Sequence, residues 1–295
     1  MILSCETYRL REKFNSIEAV RLIKDAGFDA YDHTTCELKG VPTVLGDDYL
    51  LQAIELRKYA DSIGIPCNQA HAPFNNTLVI PREEFNTDNP LFLGIVRSIE
   101  VASVLGAGQI IIHAMKSIPE GEDLFDYTVA YYKAFLPYAE KFGVKVAVEN
   151  LFDSSVPKFA KRTGIFGEPE AHRSLIDAIG SEWVTGCLDI GHAYMIGVAP
   201  EDSIRALGQK RLGALHVHDN FSIRDLHLLP YTGEIVWDRI TDALAEIDYK
   251  GDMTLEIVGY IQRMPKELVP DALKLAAAVG RHLIKEVEGK RKSDV

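Results

Sequence analysis

The chain has no apolar run approaching the ~20 residues that a membrane span requires, and it is short of positive charge, with 32 Lys and Arg against 43 Asp and Glu. The net charge of -11 argues against a long polyanion as partner, because nucleic-acid affinity comes largely from Lys and Arg neutralising phosphates. That argument is mild, since a cleft on an acidic protein can be locally basic or carry bound cations. The four cysteines, Cys5, Cys36, Cys67 and Cys187, are far apart and form no C-x-x-C pair, so they read as reduced, packed thiols. No G-x-G-x-x-G or G-x-x-x-x-G-K-[ST] follows any strand-like run, which sets nucleotide cofactors aside. The opening residues, Met1 to Glu6, lack a basic segment followed by an apolar one, and the expected location is cytoplasmic. With 47% hydrophobic and 25% charged residues, 295 residues can bury a large core and fit one barrel domain as well as two smaller ones. Association into a homo-oligomer stays open.

What the chain does have is alternation. Ile2 to Tyr8 reads as a strand, and Ser16 to Ala26 as a helix with Ser16 as N-cap and Gly27 just past its end. Phe28 to His33 is a second strand. The spacing of Leu50, Leu51, Ile54, Leu56, Tyr59, Ala60 and Ile63 predicts a helix over Asp47 to Ile63, and Ile65 to His71 is the third strand. Residues 72 to 89, rich in Pro, Asn and Thr, form a loop of a length that is often functional. A helix over Leu91 to Leu105 precedes a strand over Gln109 to Met115, whose consecutive Ile110, Ile111 and Ile112 suit burial on both faces. Leu124 to Phe142 is helical and Val144 to Asn150 a strand. After a loop over 151 to 167 come a helix (Glu170 to Ile179), a strand (Val184 to Ile190), a short helix (200 to 208) and a strand (Leu212 to His218). The series ends with a helix from Trp237 to Ile247, a strand from Met253 to Val258 and a helix from Lys266 to Val287.

Eight strand-helix alternations without a linker predict a closed (β/α)8 TIM barrel, one α/β domain over residues 1–295, in preference to an open doubly wound sheet. The ionisable residues then fall in a pattern. His71 ends the third strand, His113 the fourth, Glu149 the fifth, Asp189 with His192 the sixth, His216 the seventh and Glu256 the eighth. In such a barrel those ends converge on the mouth where active sites are built. The stretch after the seventh strand adds Asp225 and His227, which a loop can fold back over an ion that His216 approaches from the strand. Imidazole and carboxylate are the ligands that divalent Zn, Mn, Co or Mg prefer. Each residue alone has a bland reading as a hydrogen-bonded rim group; six consecutive strand ends together point to a metal centre.

Gln69-Ala70-His71-Ala72-Pro73, Ile112-His113, Val148-Glu149-Asn150, Cys187-Leu188-Asp189-Ile190-Gly191-His192-Ala193, His216-Val217-His218-Asp219, Asp225-Leu226-His227, Gly233-Glu234-Ile235 and Leu255-Glu256 are ordered motifs. In that order they resemble the xylose isomerase-like superfamily of sugar isomerases, epimerases and AP endonucleases. The resemblance implies one of two metal centres. In ketose 3-epimerases of the D-tagatose 3-epimerase kind, one Mn, Co or Mg is held by Glu, Asp, His and Glu, which fall here on Glu149, Asp189, His216 and Glu256. In endonuclease IV-type enzymes three zinc ions use those four and further His and Asp, which map onto His71, His113, His192, Asp225 and His227. Residue types match at all nine positions. Other features pull toward a sugar: the endonuclease branch's His-Pro-Gly is here His113-Ala114-Met115, and loop 72 to 89 carries Arg82 beside Glu83, Glu84 and Asp88, with no dense basic cluster. The substrate-binding Arg of the epimerases has no match, since Arg224 stands at a different spacing from His216.

The resemblance therefore implies a divalent-metal-dependent isomerase or epimerase of a small-molecule sugar or sugar phosphate. A metal on two neighbouring substrate oxygens acidifies the adjacent C–H, so that an enediolate forms and Glu149 and Glu256 move the proton. His192 is expected to bind a substrate hydroxyl. Loop 72 to 89, Phe152, Phe159 and Phe166, with Trp237 and Tyr260, are expected to wall the mouth, Trp237 as a substrate-binding residue. Lys158, Lys161 and Arg162 leave a substrate phosphate undecided between a binding site and a solvated basic turn. The alternative is a tri-zinc phosphoesterase of the AP endonuclease type; a third reading is a metal-binding barrel without catalysis.

Overall fold

In the computed structural model, which describes residues 1–36, 43–153, 164–222 and 224–293, eight parallel strands close into one barrel. They are β1 (Leu3–Glu6), β2 (Ala30–Thr34), β3 (Cys67–His71), β4 (Gln109–Ile112), β5 (Lys145–Glu149), β6 (Val184–Asp189), β7 (Leu212–His216) and β8 (Met253–Leu255). Each pairs in parallel with its successor from β1 to β7, and β1 also pairs with β8, Leu3 lying opposite Met253. Closure between β7 and β8 is made by Val217, whose N–H donates to the Thr254 carbonyl at 2.9 Å and whose carbonyl accepts from the Glu256 N–H at 3.1 Å. The expected (β/α)8 TIM barrel is the architecture found.

Side chains alternate between the two faces of a strand, and in this barrel the two faces differ in chemistry. The outer face carries Leu3, Tyr31, Ile110, Ile112, Val146, Val148, Leu188, Leu215 and Leu255, all in the large core shared with the helices. Inside the barrel Ile111, Ala147, Cys187 and Ala214 form a separate buried cluster. Two residues further along the same four chains stand His113, Glu149, Asp189 and His216. The alternation that buries small apolar groups at the barrel's waist thus turns the next inward layer into metal-ligand chemistry. The rest of the interior is polar and partly paired: Ser4 Oγ donates to Thr254 Oγ1 at 2.8 Å, and Gln69 Nε2 to Asp32 Oδ2 at 2.9 Å.

Helix boundaries follow cap chemistry. Asn89 accepts from the Leu91 and Phe92 N–H groups, Asp123 from Asp126, and Gly106 and Gly143 close two helices in left-handed conformations at φ 86° and 68°. The helix Leu124–Phe142 has the bounds its periodicity predicts. Elsewhere the structure corrects the reading. Asn15, not Ser16, caps Ser16–Asp25, its side chain accepting from the Glu18 N–H. Tyr8 begins a short helix (Tyr8–Lys13), and β4 ends at Ile112. Val258 opens another short helix (Val258–Arg263), and the last helix starts at Val269. No helix among the described residues is long and apolar enough to cross a membrane.

Phe135, fully buried on Leu124–Phe142, stacks on Phe92 with centroids 4.4 Å apart. Phe135→Ala should cost about 3–5 kcal/mol by the cavity it leaves, read as a lower urea midpoint with unchanged slope.

Candidate metal centre

The mouth at the C-terminal ends of the strands gathers the seven residues singled out by strand-end position and, with them, Asp225 and His227. His71, Glu149, Asp189 and His216 end their strands, and His113 and Glu256 follow theirs by one residue. Asp225 and His227 arrive on the second arm of a hairpin, Arg224–Leu228, antiparallel to Asp219–Phe221. His227 stands at φ 45°, and its Nδ1 lies 3.0 Å from the Glu256 carbonyl, which ties the hairpin to the end of β8.

Ligand atoms of His71, His113 and Glu149 all lie within 4.8 Å of one another, as do those of Asp189, His216 and Glu256, and those of His192, Asp225 and His227. Glu149 joins the groups. Its Oε2 is 2.7 Å from His113 Nε2 and 3.7 Å from His71 Nε2; its Oε1 is 3.2 Å from His216 Nδ1 and 3.4 Å from His192 Nδ1. Glu256 Oε2 reaches His216 Nδ1 at 3.3 Å from the other side.

Two observations show that these donors fit a cation. First, His71, His192 and His227 each place Nδ1 on a backbone carbonyl, of Ala72, Asn150 and Glu256 at 2.8, 3.0 and 3.0 Å. A carbonyl only accepts, so each Nδ1 donates, and Nε2 faces the other ligand groups: His113 at 3.1 Å from His71, and Asp225 Oδ2 at 3.6 Å from His192 and 3.0 Å from His227. That outer carbonyl is how proteins orient a metal-binding imidazole. Second, Glu149 Oε2 and Glu256 Oε2 are buried yet receive no hydrogen bond, although imidazole nitrogens stand 2.7 and 3.3 Å away. Close nitrogens that aim no N–H at the oxygen beside them are what a shared cation relieves.

Electrostatics match this crowding. Burial would raise the Glu149 carboxyl, but His113 and His216 outweigh it and hold it well below the usual range. Burial likewise opposes charge on His192, and the Asp189 and Asp225 carboxylates overcome it, pushing the imidazolium up to about 9. His113 goes the other way, lowered to about 4, because burial outweighs the pull of Glu149. His71, His216 and His227 are raised well above their ordinary value against the same burial, chiefly by Cys36, by Cys187 and by Asp225 respectively.

A cavity of about 150 Å³ opens above the donors, lined by His71, His113, Glu149, His192, Asp225, His227 and Glu256. A larger one, about 450 Å³, lies on the outer side of β2 around Arg11, His33 and Tyr49, away from the donor groups. The smaller cavity also contains groups that sequence reasoning missed. Phe74, from the long loop, stacks on His113 with centroids 4.2 Å apart. Glu6, at the end of β1, and Asp32, two residues before the end of β2, line it too; burial and then Glu256 push Glu6 up to about 8. A strand-end criterion finds Glu6 but passes over Asp32, which lies inside its strand.

Trp237 is placed elsewhere: it is buried beneath the hairpin, its Nε1 donating to Asp219 Oδ2 at 3.0 Å, and it does not line the cavity. Phe152 meets His192 edge-on at 4.9 Å, whereas Phe166 packs into the core beside Phe125. Tyr260 also packs against the core. Phe159, Lys158, Lys161 and Arg162 lie outside the described residues.

His218, fully buried, donates from Nε2 to Asp189, 3.0 Å from either oxygen, and so orients that carboxylate. Gly191 makes room for it, since a Cβ there would come within 2.0 Å of the His218 ring. Gly191→Ala should therefore weaken divalent-cation affinity by about 10–100-fold, the usual cost of losing an outer-shell partner, with the far-UV circular dichroism retained. Because the folded apo-protein holds protons on His192 and its raised neighbours, cation binding must displace them. Calorimetry in buffers of different ionisation enthalpy should show net proton release, and affinity should rise between about pH 6 and about pH 8; proton uptake or a flat profile would contradict this.

The family model described as xylose isomerase-like TIM barrel matches residues 20–283. An uncharacterised protein of Sinorhizobium fredii is 28% identical over 164 residues, 54% of this chain and 50% of its own, so the chain spans about half the length of that curated relative. Among solved structures, a D-tagatose 3-epimerase-like protein superposes with a TM-score of 0.74 at 20% identity, covering 98% of this chain and 99% of its own. A D-psicose 3-epimerase crystallised in the presence of D-fructose gives 0.69 at 16% identity, covering 96% and 99%. Those two likenesses are of fold; the family match extends over most of the sequence and over every donor at the barrel mouth, and the chain belongs to the xylose isomerase-like TIM barrel family.

Proposed function

We propose that the protein is a divalent-metal-dependent isomerase or epimerase of a small sugar, acting in the cytoplasm and without a nucleic-acid partner. The observation that carries this reading is the pair Glu149 and Glu256, which come from β5 and the end of β8, approach one imidazole nitrogen of His216 at 3.2 and 3.3 Å, and both line the cavity. Glu149, Asp189, His216 and Glu256 would hold the cation. When bound, a Mn, Co, Mg or Zn ion supplies Lewis acidity that makes a C–H next to a carbonyl labile.

Everything else is done by the chain. Glu149 and Glu256 approach the site from opposite walls, so one carboxylate takes the proton from the substrate carbon and the other returns it to the opposite face. His192, whose Nδ1 is anchored on the Asn150 carbonyl, presents Nε2 to a substrate hydroxyl. Phe74 and Phe152 cover the imidazoles and limit water at the reacting carbon.

A second reading, a phosphoesterase holding two or three zinc ions, is favoured by one specific observation: the nine donors, with His218, fall into five overlapping groups of three, more than one cation uses. Metal analysis and turnover separate the two. The isomerase reading predicts one exchangeable cation per chain and deuterium wash-in from D2O into a ketose or aldose. Glu256→Gln should then reduce exchange by at least about a thousandfold, as loss of a group acting in proton transfer does, while His71→Ala and Asp225→Ala remain milder. Tightly bound zinc at two or three per chain, near-total loss in His71→Ala, and hydrolysis of a phosphodiester without wash-in would establish the second reading.

A further inference from the structure

The metal-centre donors come from β3 to β8 and from the hairpin beyond β7; β1 and β2 contribute none. β1 ends in Glu6 and β2 carries Asp32 two residues before its end at Thr34, and both acids line the same cavity as the donors, together with Tyr8 and Thr34. Asp32 is 1% exposed. Its Oδ2 accepts from Gln69 Nε2 at 2.9 Å, but its Oδ1 is buried with no donor at all. Glu6 accepts one hydrogen bond, from the Tyr8 N–H, and is 5% exposed.

An unpartnered buried acceptor is stabilised by a ligand that brings a donor. Hydroxyl groups bring donors; a phosphate ester at neutral pH brings only acceptors and charge. Phosphate sites are built from Arg, Lys or a helix N-terminus, and among the described residues lining this cavity none is Lys or Arg. At about 150 Å³ the cavity is also well below the ~300–1,000 Å³ of drug-sized pockets, which suits one small monosaccharide.

We propose that Glu6 and Asp32 form the specificity-determining wall of this cavity. They accept hydrogen bonds from substrate hydroxyls that the metal donors do not hold, and so select an unphosphorylated polyhydroxylated molecule. The inference rests on the isomerase reading for the identity of the ligand as a sugar, and it adds residues and a chemical class to that reading.

The test is binding without turnover. The metal-loaded protein is titrated calorimetrically with xylitol, sorbitol and sorbitol phosphate, in the native form and as Asp32→Asn and Glu6→Gln, with metal content and circular dichroism measured on each. The expected result is that an alditol binds and sorbitol phosphate binds at least about tenfold more weakly, because the described lining offers its phosphate no Lys or Arg. Asp32→Asn should weaken the alditol by about tenfold, since a donor then faces the hydroxyl, and narrow the gap to the phosphate, and Glu6→Gln should act in the same direction. Equal or tighter binding of sorbitol phosphate, no binding of either alditol, or unchanged affinities in both variants would overturn the proposal. Loss of metal from Asp32→Asn would overturn it too, by making the acid a support of the metal centre. Selective alditol binding without any deuterium exchange on sugars would refute the isomerase reading and leave the wall standing; exchange on phosphorylated sugars as readily as on free ones would do the reverse.

Discussion

Everything at the mouth of this barrel depends on one carboxylate, Glu149, held 1% exposed among His113, His216, His192 and His71 at 2.7, 3.2, 3.4 and 3.7 Å. A buried carboxylate is tolerated only when compensated. Without a cation the compensation comes from the surrounding imidazoles, of which His71 and His216 are raised well above their ordinary value while Glu149 is held low. A bound cation would take the place of those protons. Protons and a metal ion would then compete for the same ligands.

The barrel supplies the positions through a single periodicity. Inward-facing residues alternate along each strand, so Ala147, Cys187 and Ala214 cluster at the waist, and two residues further along their strands stand Glu149, Asp189 and His216. Small side chains below leave the polar layer above close to the barrel axis. The hairpin from Asp219 to Leu228 then brings Asp225 and His227 over the top. It is held by Asp219, which accepts from the N–H groups of Asn220 and Ile235 and from the Trp237 indole.

How much of this was readable beforehand depended on whether the determining interactions were local. The helix Leu124–Phe142 was legible residue for residue, because its Asp123 cap and Gly143 stop are local signals. The barrel followed from eight alternations, seven donor positions from strand ends that any closed parallel barrel brings together, and Asp225 and His227 from the donor-rich stretch after the seventh strand. Asn15 and Ser16 are both good caps, and only the fold decides that Asn15 reaches the Glu18 N–H. Trp237 looked like a wall of the mouth because it follows the donor-rich stretch, yet its indole N–H is satisfied by Asp219 under the hairpin, a pairing that no periodicity announces. Glu6 ends its strand but Asp32 lies in the middle of β2, two residues before Thr34, and their placement on one cavity is tertiary.

The central claim is that this buried polar cluster is a cation site, and anomalous diffraction from crystals grown with Mn or Zn tests it most directly. The account predicts a peak about 2.0–2.2 Å from carboxylate oxygens and imidazole nitrogens of Glu149, Asp189, His216 and Glu256, in the range typical of such ligands. Crystals grown at saturating metal that show no peak there, with the Glu149 carboxylate flanked only by the His113 and His216 imidazoles, would contradict it.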